Sequence, residues 1–337
     1  MVSIYQPSDF HVHLREGSIL KEALKENIKH FQRILIMPNL LNPITNSKRL
    51  LDYRNQVERI NNNQIDILYT VYLNENWSLA DLINSYKKKL FFAAKLYPKN
   101  VTTNSSSGVG DIKKLSRHFE ILEKNNISLC LHGETITPLD DPYDREKLFL
   151  DKELVWLQKN FPNLKITLEH ITTKEAVEYV KENKNIAASI TTHHLLENTN
   201  SFLGDLLKPE LFCKPIIKNR SHQIVLQKIA LSGNKKFFFG SDSAPHLSKN
   251  KFNNQCCAGV YSSKYSVSNI IEFFSFNNKL KNLDKFLSIN GNMHYSLNQN
   301  KKKLNYKKIK NYKFITKKKC DLDYLTHYNH YKDYWSL

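Results

Sequence analysis

The stretch SDFHVHLREG, residues 8–17, places two histidines one residue apart and an arginine two further on. Side chains alternate across a strand, so His11, His13 and Arg15 share one face if the strand runs that far. Two imidazoles and a guanidinium on one face are costly in a packed interior unless an anion or a metal compensates them. The segment therefore reads as a strand whose C-terminal end carries chemistry.

Working outward, the same form recurs. Short apolar, β-branched runs appear at RILIMPN (33–39), DILYTVYL (66–73), FFAAKLYP (91–98) and ISLCLHGE (127–134). More follow at LKITLEHI (164–171), NIAASITTHH (185–194) and KFFFGSD (236–242). With the opening segment these make eight expected strands. Helical patterns separate them, among them DIKKLSRHFEILEKN, DREKLFLDKELVWLQKN and TKEAVEYVKEN, with Asp111, Asp144 and Thr173 as expected N-caps. Strand–helix alternation argues a parallel sheet with crossover helices. Eight repeats in about 250 residues fit an α/β fold of the (β/α)8 TIM-barrel type. A doubly wound open sheet is the alternative, weakened by the absence of G-x-G-x-x-G after the first strand. We expect one domain over 1–337, with a barrel core at 1–248. A C-terminal extension at 249–337, helical with a basic tail, would pack on it.

Composition narrows the setting. Hydrophobic residues make up 41% of the 337, enough for a sizeable core. No run of about 18 apolar residues suggests a membrane span, and the N-terminus has no signal-peptide pattern. The five cysteines are odd in number and lack any C-x-x-C pair, so a disulfide framework is not expected and a reducing cytoplasm is. The formal net charge of +18 raises the question of nucleic acid. Its densest run, KKKLNYKKIKNYKFITKKK (301–319), reads as a solvated basic face, with an anionic partner as the alternative.

Polar residues gather at the C-terminal ends of the expected strands, where barrels build their active sites. His11 and His13 end the first, Asn39 the second, His132 the fifth, His170 the sixth and Asp242 the eighth, while Lys95 lies within the fourth. Any one histidine alone is more often a satisfied core residue, and Asp242 alone could cap a turn. Coincidence across six strands favours a metal site. Imidazoles with an aspartate suit zinc, and also cobalt, nickel or manganese. Four histidines exceed what one catalytic zinc takes, so two divalent metal ions about 3.5–4 Å apart are the more natural reading. Lys95, flanked by Phe92, Ala93, Ala94 and Leu96, is costly as a buried ammonium. As a neutral amine it could take up CO2 and become a carbamate, N6-carboxylysine, supplying a bridging anion.

Together these residues resemble the amidohydrolase superfamily, and within it the dihydroorotases of the compact bacterial type. The motifs that carry the resemblance are DFHVHLREG, ILIMPNL, FFAAKLYPKNVTTNSS, LHGE, LEHITT, CKPIIK, GSDSAPH and CAG, in the family's order from Asp9 to Gly259. The resemblance implies a (β/α)8 barrel. It implies reversible cyclisation of N-carbamoyl-L-aspartate to L-dihydroorotate and water, the third step of de novo pyrimidine synthesis. By motif match, His11, His13 and Asp242 bind one metal and His132 and His170 the other, with carbamylated Lys95 and a hydroxide between them. Asp242 is the implied catalytic acid–base. Arg15, Asn39 and His246 are implied for the substrate carboxylate. Lys214, Ala258 and Gly259 are implied for the ring edge through backbone, and Thr102 and Thr103 for a lid loop. His194 also matches a family histidine, behind the site. A homodimer is implied too. Glu16 and Ser241 stand where the family has aspartate and threonine, Lys214 where an apolar residue is common, and VYSSKYS replaces a proline-containing run after CAG.

Three other readings compete. Another dinuclear-metal cyclic amidohydrolase, such as a hydantoinase, would share the metal set, but would not need Arg15, Asn39 and His246 ready for a carboxylate. A nucleic-acid-binding protein with a structural metal is disfavoured by lysines scattered without aromatic interleaving. A decayed, inactive enzyme is disfavoured by an intact ligand set.

Overall fold

The computed structural model describes residues 1–320 and 323–337. Eight strands form one parallel sheet in chain order, which we label β1 (Ser8–Val12), β2 (Arg33–Ile36), β3 (Asp66–Tyr72), β4 (Ala93–Leu96), β5 (Ser128–His132), β6 (Ile166–Glu169), β7 (Ile186–Ile190) and β8 (Phe237–Phe239). The ring closes through the segments just beyond β1 and β8. Asp242 N–H donates to the His11 carbonyl at 2.8 Å and His13 N–H to the Ser243 carbonyl at 3.0 Å. The buried Asp9 carboxylate reinforces the joint, accepting from Ser241 N at 2.8 Å and His11 N at 3.1 Å. Burial pushes its pKa up to about 6, against those hydrogen bonds. Gly240 is required here, since a Cβ would lie 2.9 Å from the Cβ atoms of His11 and Ser189.

Period-two alternation sorts the strand residues into two compartments. Ile34, Ile36, Ala94, Leu96, Leu129, Leu131, Ile166, Leu168, Phe237 and Phe239 join the large cluster between strands and helices. Phe10, Leu35, Met37, Leu68, Ala93, Cys130, Ala187 and Phe238 fill the barrel interior, with Tyr295 from outside the strands. Phe10 stacks on Tyr295 at 5.2 Å and meets Phe238 edge-on at 5.4 Å. This aromatic floor closes the N-terminal end. A register irregularity between Asp9 and Val12 lets both Phe10 and His11 serve the interior.

The expected strands all form but run shorter. Arg15 does not continue β1: it takes a left-handed backbone, φ 61°, and a helix starts at Gly17. Asn39 lies beyond the end of β2. The run 185–194 yields β7, then a helix Thr192–Leu196 that Thr191 caps by accepting from His194 N. Asp111 and Thr173 cap as expected, whereas Asp144 makes no side-chain cap. There the helical run continues through a π-helical turn at Leu150–Leu154.

Beyond β8, helix Ser263–Phe276 packs on helix Gly17–His30 and completes the outer ring. Short helical turns follow at Leu280–Asn282, Lys285–Ile289 and Asn290–His294, and the basic tail after them forms strands. Lys303–Ile309 forms the centre of a three-stranded antiparallel sheet with Val2–Tyr5 and Tyr334–Ser336, and Lys317–Cys320 pairs with Asp323–Thr326. Alternation explains the run: Tyr306 is buried against His30, while Lys303, Lys307, Lys317 and Lys319 are exposed. Lys308 and Lys318 find carboxylates at Glu272 and Asp333, and at Glu22 and Glu26. No helix among the described residues is long and apolar enough to cross a membrane.

Candidate active site

At the C-terminal end of the barrel one pocket is lined by His11, His13, Arg15, Asn39, Thr102, Thr103, His132, His170, Lys214, Asp242, Ala258 and Gly259, joined by Tyr97 and Ala244. Residues from across the chain thus meet at a single mouth. Lys95 lies fully buried, its Nζ 4.8 Å from the centre of the Tyr97 ring and without a hydrogen-bond partner. His246 stands at the rim, its Nε2 3.1 Å from Arg15 Nη2 and 3.0 Å from the Ala258 carbonyl oxygen.

The ligating atoms of His11, His13 and Asp242 lie within 4.8 Å of one another. Asp242 Oδ1 is 3.0 Å from His13 Nε2 and 3.3 Å from His11 Nε2. The His170 ring packs between the others, 5.0 Å from His11 and 4.8 Å from His132. His170 and Asp242 both hold left-handed backbones, φ 41° and 45°. Such strain at a non-glycine residue persists only where the surroundings over-determine it.

Two glutamates that the sequence reading did not single out aim the histidines. Glu169 Oε2 accepts from His11 Nδ1 at 2.8 Å, which leaves Nε2 to face inward. Glu134 Oε2 accepts from His132 Nε2 at 2.6 Å, which leaves Nδ1. A carboxylate behind an imidazole fixes its tautomer and raises its basicity, as behind metal-ligating histidines. Ser189 donates to Glu169 and accepts from His170 N, linking two of the rings. Neighbourhood in the chain accounts for Glu134, two residues past His132, but not for Glu169, which turns to His11 from 158 positions away.

Electrostatics follow from burial and these contacts. Burial lowers the Lys95 pKa, outweighing the pull of Glu169, Cys130 and Asp242 toward the charged form. Burial works against an ionised Asp242, but the His11 and His13 rings beside it hold its carboxyl well below the usual range. His170 is driven well below an ordinary imidazole by burial and by neighbouring His132. An amine biased toward its neutral form, an ionised carboxylate and a neutral His170 are states that cation ligation requires, while Glu169 and Asp242 raise the His11 pKa against the effect of its burial. The orphaned buried atoms Lys95 Nζ, His11 Nε2 and His170 Nδ1 point the same way, so the donor set fits divalent cations.

The rim fits an anion. Arg15 Nε donates to the Pro245 carbonyl at 3.3 Å, which holds the side chain, and Tyr53 donates to the Arg15 backbone carbonyl at 3.0 Å, which holds the main chain. Its Nη1 is buried without a partner, as is Asn39 Oδ1. The loop carrying Thr102 and Thr103 is drawn over the mouth, with Asn39 donating to the Thr103 carbonyl at 3.2 Å and Thr103 to the Ala258 carbonyl at 3.0 Å.

A second buried group, His193, His194 and Cys213, also clusters within 4.8 Å. His194 already spends Nδ1 on Thr191 at 2.9 Å and Nε2 on the Pro215 carbonyl at 3.0 Å. The Cys213 thiol donates to the same carbonyl at 3.3 Å. These contacts tie down the segment that carries Lys214 and engage two members of the group, His194 and Cys213, whereas neither nitrogen of His193 has a partner among the described residues. A larger cleft, bordered by Glu210, Tyr312 and Tyr328, lies away from these groups. Its Glu197 is already engaged by Tyr328 and His330.

No family model matches the chain. A dihydroorotase of Buchnera aphidicola is 42% identical over 304 residues, covering 89% of this chain and 87% of the relative. The crystal structure of a Saccharomyces cerevisiae dihydroorotase, solved with 5-fluoroorotic acid, superposes with a TM-score of 0.90 at 29% identity, covering 100% of this chain and 98% of that one. An L-hydantoinase from Arthrobacter aurescens shares the fold at a TM-score of 0.76 and 14% identity, over 92% of this chain and 78% of its own.

Proposed function

The chain belongs to the dihydroorotase family, hydrolases of cyclic amides, and from that membership we propose that its barrel mouth interconverts N-carbamoyl-L-aspartate and L-dihydroorotate. One observation carries this reading to the residues. A cation-ready cluster shares its pocket with an arginine whose Nη1 is buried and unpaired. A cyclic-amide hydrolase with an uncharged substrate has no use for that second feature, which disfavours a hydantoinase.

In this proposal His11, His13 and Asp242 would hold one cation and His132 and His170 the other, with Lys95, once carbamylated, supplying the anion they would share. Zinc suits the imidazole-rich set. The bridge needs a carbamate: the neutral Lys95 amine adds to CO2, a C–N bond forms and a proton leaves. Native mass spectrometry would register the added CO2, and a Lys95 without it would overturn the bridge. When bound, the cations supply Lewis-acid polarisation of the reacting carbonyl and lower the pKa of water.

The protein's own groups do the rest. Arg15 presents a planar fork to the α-carboxylate, with Asn39 and His246 beside it. Backbone groups at Lys214, Ala258 and Gly259 face the ring edge. Thr102 and Thr103 close the mouth against water. In ring closure the terminal ureido nitrogen attacks the β-carboxyl carbon and Asp242 takes a proton from that nitrogen; the C–O bond then breaks, and the departing oxygen leaves as water on gaining the proton held by Asp242 and a second one from solvent. In ring opening Asp242 returns a proton to the leaving nitrogen.

The test is turnover of dihydroorotate beside dihydrouracil, which lacks the carboxylate, with metal content measured on the same protein. Turnover of dihydroorotate alone is expected. Equal turnover of both would overturn the role given to Arg15. The family also leads us to propose a cytoplasmic homodimer, which light scattering and fractionation would test.

A further inference from the structure

Lys251 is 4% exposed, and no carboxylate is paired with it among the described residues. Its ammonium donates to three backbone carbonyls: Phe212 at 2.7 Å, Cys257 at 3.0 Å and Gly259 at 2.7 Å. A lysine has three N–H donors, so all are spent. The carbonyls come from two segments about 45 residues apart, which are hydrogen-bonded to each other where Gly259 N–H donates to the Phe212 carbonyl at 2.9 Å. Both segments line the pocket, one through Lys214 and the other through Ala258 and Gly259.

Each peptide unit is planar, so fixing a carbonyl fixes the N–H of the next residue. Holding the Cys257 carbonyl sets the direction of Ala258 N–H, and holding the Phe212 carbonyl sets Cys213 N–H, beside Lys214. Gly259, with φ 144° and no room for a Cβ beside Ala244 and His246, cannot be aimed by a side chain of its own. We propose that Lys251 is a positioning residue for substrate recognition, clamping the 212–214 and 257–259 backbones so that their groups meet the ring edge together. This rests on the functional reading above. Without the ammonium, three carbonyl dipoles converge on one buried point and repel, and the two segments separate.

The experiment compares the unchanged protein with Lys251→Met, similar in length but without donors. Kinetics on dihydroorotate and carbamoyl aspartate are measured together with bound metal and the thermal midpoint. KM is expected to rise about tenfold or more, with kcat within about threefold and metal per chain unchanged. A merely structural lysine would lower the midpoint and leave KM alone. A folded Lys251→Met with KM within about twofold of the original, or with kcat reduced and KM unmoved, overturns the proposal. If that variant does not fold, Lys251→Gln, neutral with two donors, is expected to raise KM about three- to tenfold, and an unchanged KM overturns the proposal equally. If the unchanged protein fails to turn over dihydroorotate, it is the functional reading that falls.

Discussion

The floor of the barrel and its mouth are made by the same strands, one pleat apart, and hold opposite chemistry. Along β4 the inward residues are Ala93, then Lys95; along β5, Cys130, then His132; along β7, Ala187, then Ser189. A step of two residues, about 6.6 Å, separates an aromatic plug from a cluster of titratable groups. The floor therefore acts on the mouth. Phe10, Phe238 and Tyr295 shut water out from below, and burial of that kind biases Lys95 toward its neutral amine. The mouth in turn relies on paired carboxylates to keep its histidines aimed, a device the floor does not need.

Substitutions at the two ends should separate function from stability. The largest effect belongs to the mouth: Lys95→Ala is expected to lose bound metal and to reduce turnover by at least about a thousandfold while remaining folded. Metal analysis and a dihydroorotate assay check this, and normal turnover would remove Lys95 from the bridging role. On the floor, Phe238→Ala should cost about 3 kcal/mol of stability and leave kcat within a few-fold. A chemical unfolding curve measures the first, and a collapse of kcat without a stability loss would erase the division between the ends.

A third test uses pH. His30 ends its helix close to the start of β2, stacked on Tyr306, and burial, with Glu26 opposing, pushes its pKa down from 6.5 to about 4. Between those values the unfolded chain binds the proton and the folded one does not. The stability present above pH 6.5 is therefore lost as pH falls toward 4, by about 2 kcal/mol between pH 7 and 5. Unfolding at the two pH values should show that slope, and His30→Phe should flatten it; an unchanged slope would remove His30 as its source. The smallest effect is at the rim. Arg15→Lys keeps a charge but not a fork, and KM should rise about tenfold with kcat little changed.

These residues differ in how readable they were from the sequence. Lys95 was conspicuous because an ammonium among Phe92, Ala93, Ala94 and Leu96 contradicts its surroundings. His11 and His13 were conspicuous through spacing. Glu134 and Glu169 were not, since each is an ordinary acidic residue until the barrel sets it behind a histidine. Lys251 was hidden for a stronger reason. It lies among Lys249, Asn250 and Asn253 in a basic composition, and its partners are carbonyls, which every residue carries. The eight strands could be read from their apolar runs, but their ends could not, because Arg15 and Asp242 leave the strand through left-handed turns. The strands of the extension were masked by lysine: in KKKLNYKKI the alternation is carried by Leu304, Tyr306 and the stem of Lys308, which a hydropathy pattern scores as polar.

Closure of the ring joins groups 229 and 232 residues apart, His13 to Asp242 and Asp9 to Ser241. Contacts that distant in sequence tend to be late ones in folding, after neighbouring strands have zipped side by side. The set formed by His11, His13 and Asp242 thus comes into being only with the last joint of the cylinder. A half-made chain therefore lacks the finished cluster of these three side chains.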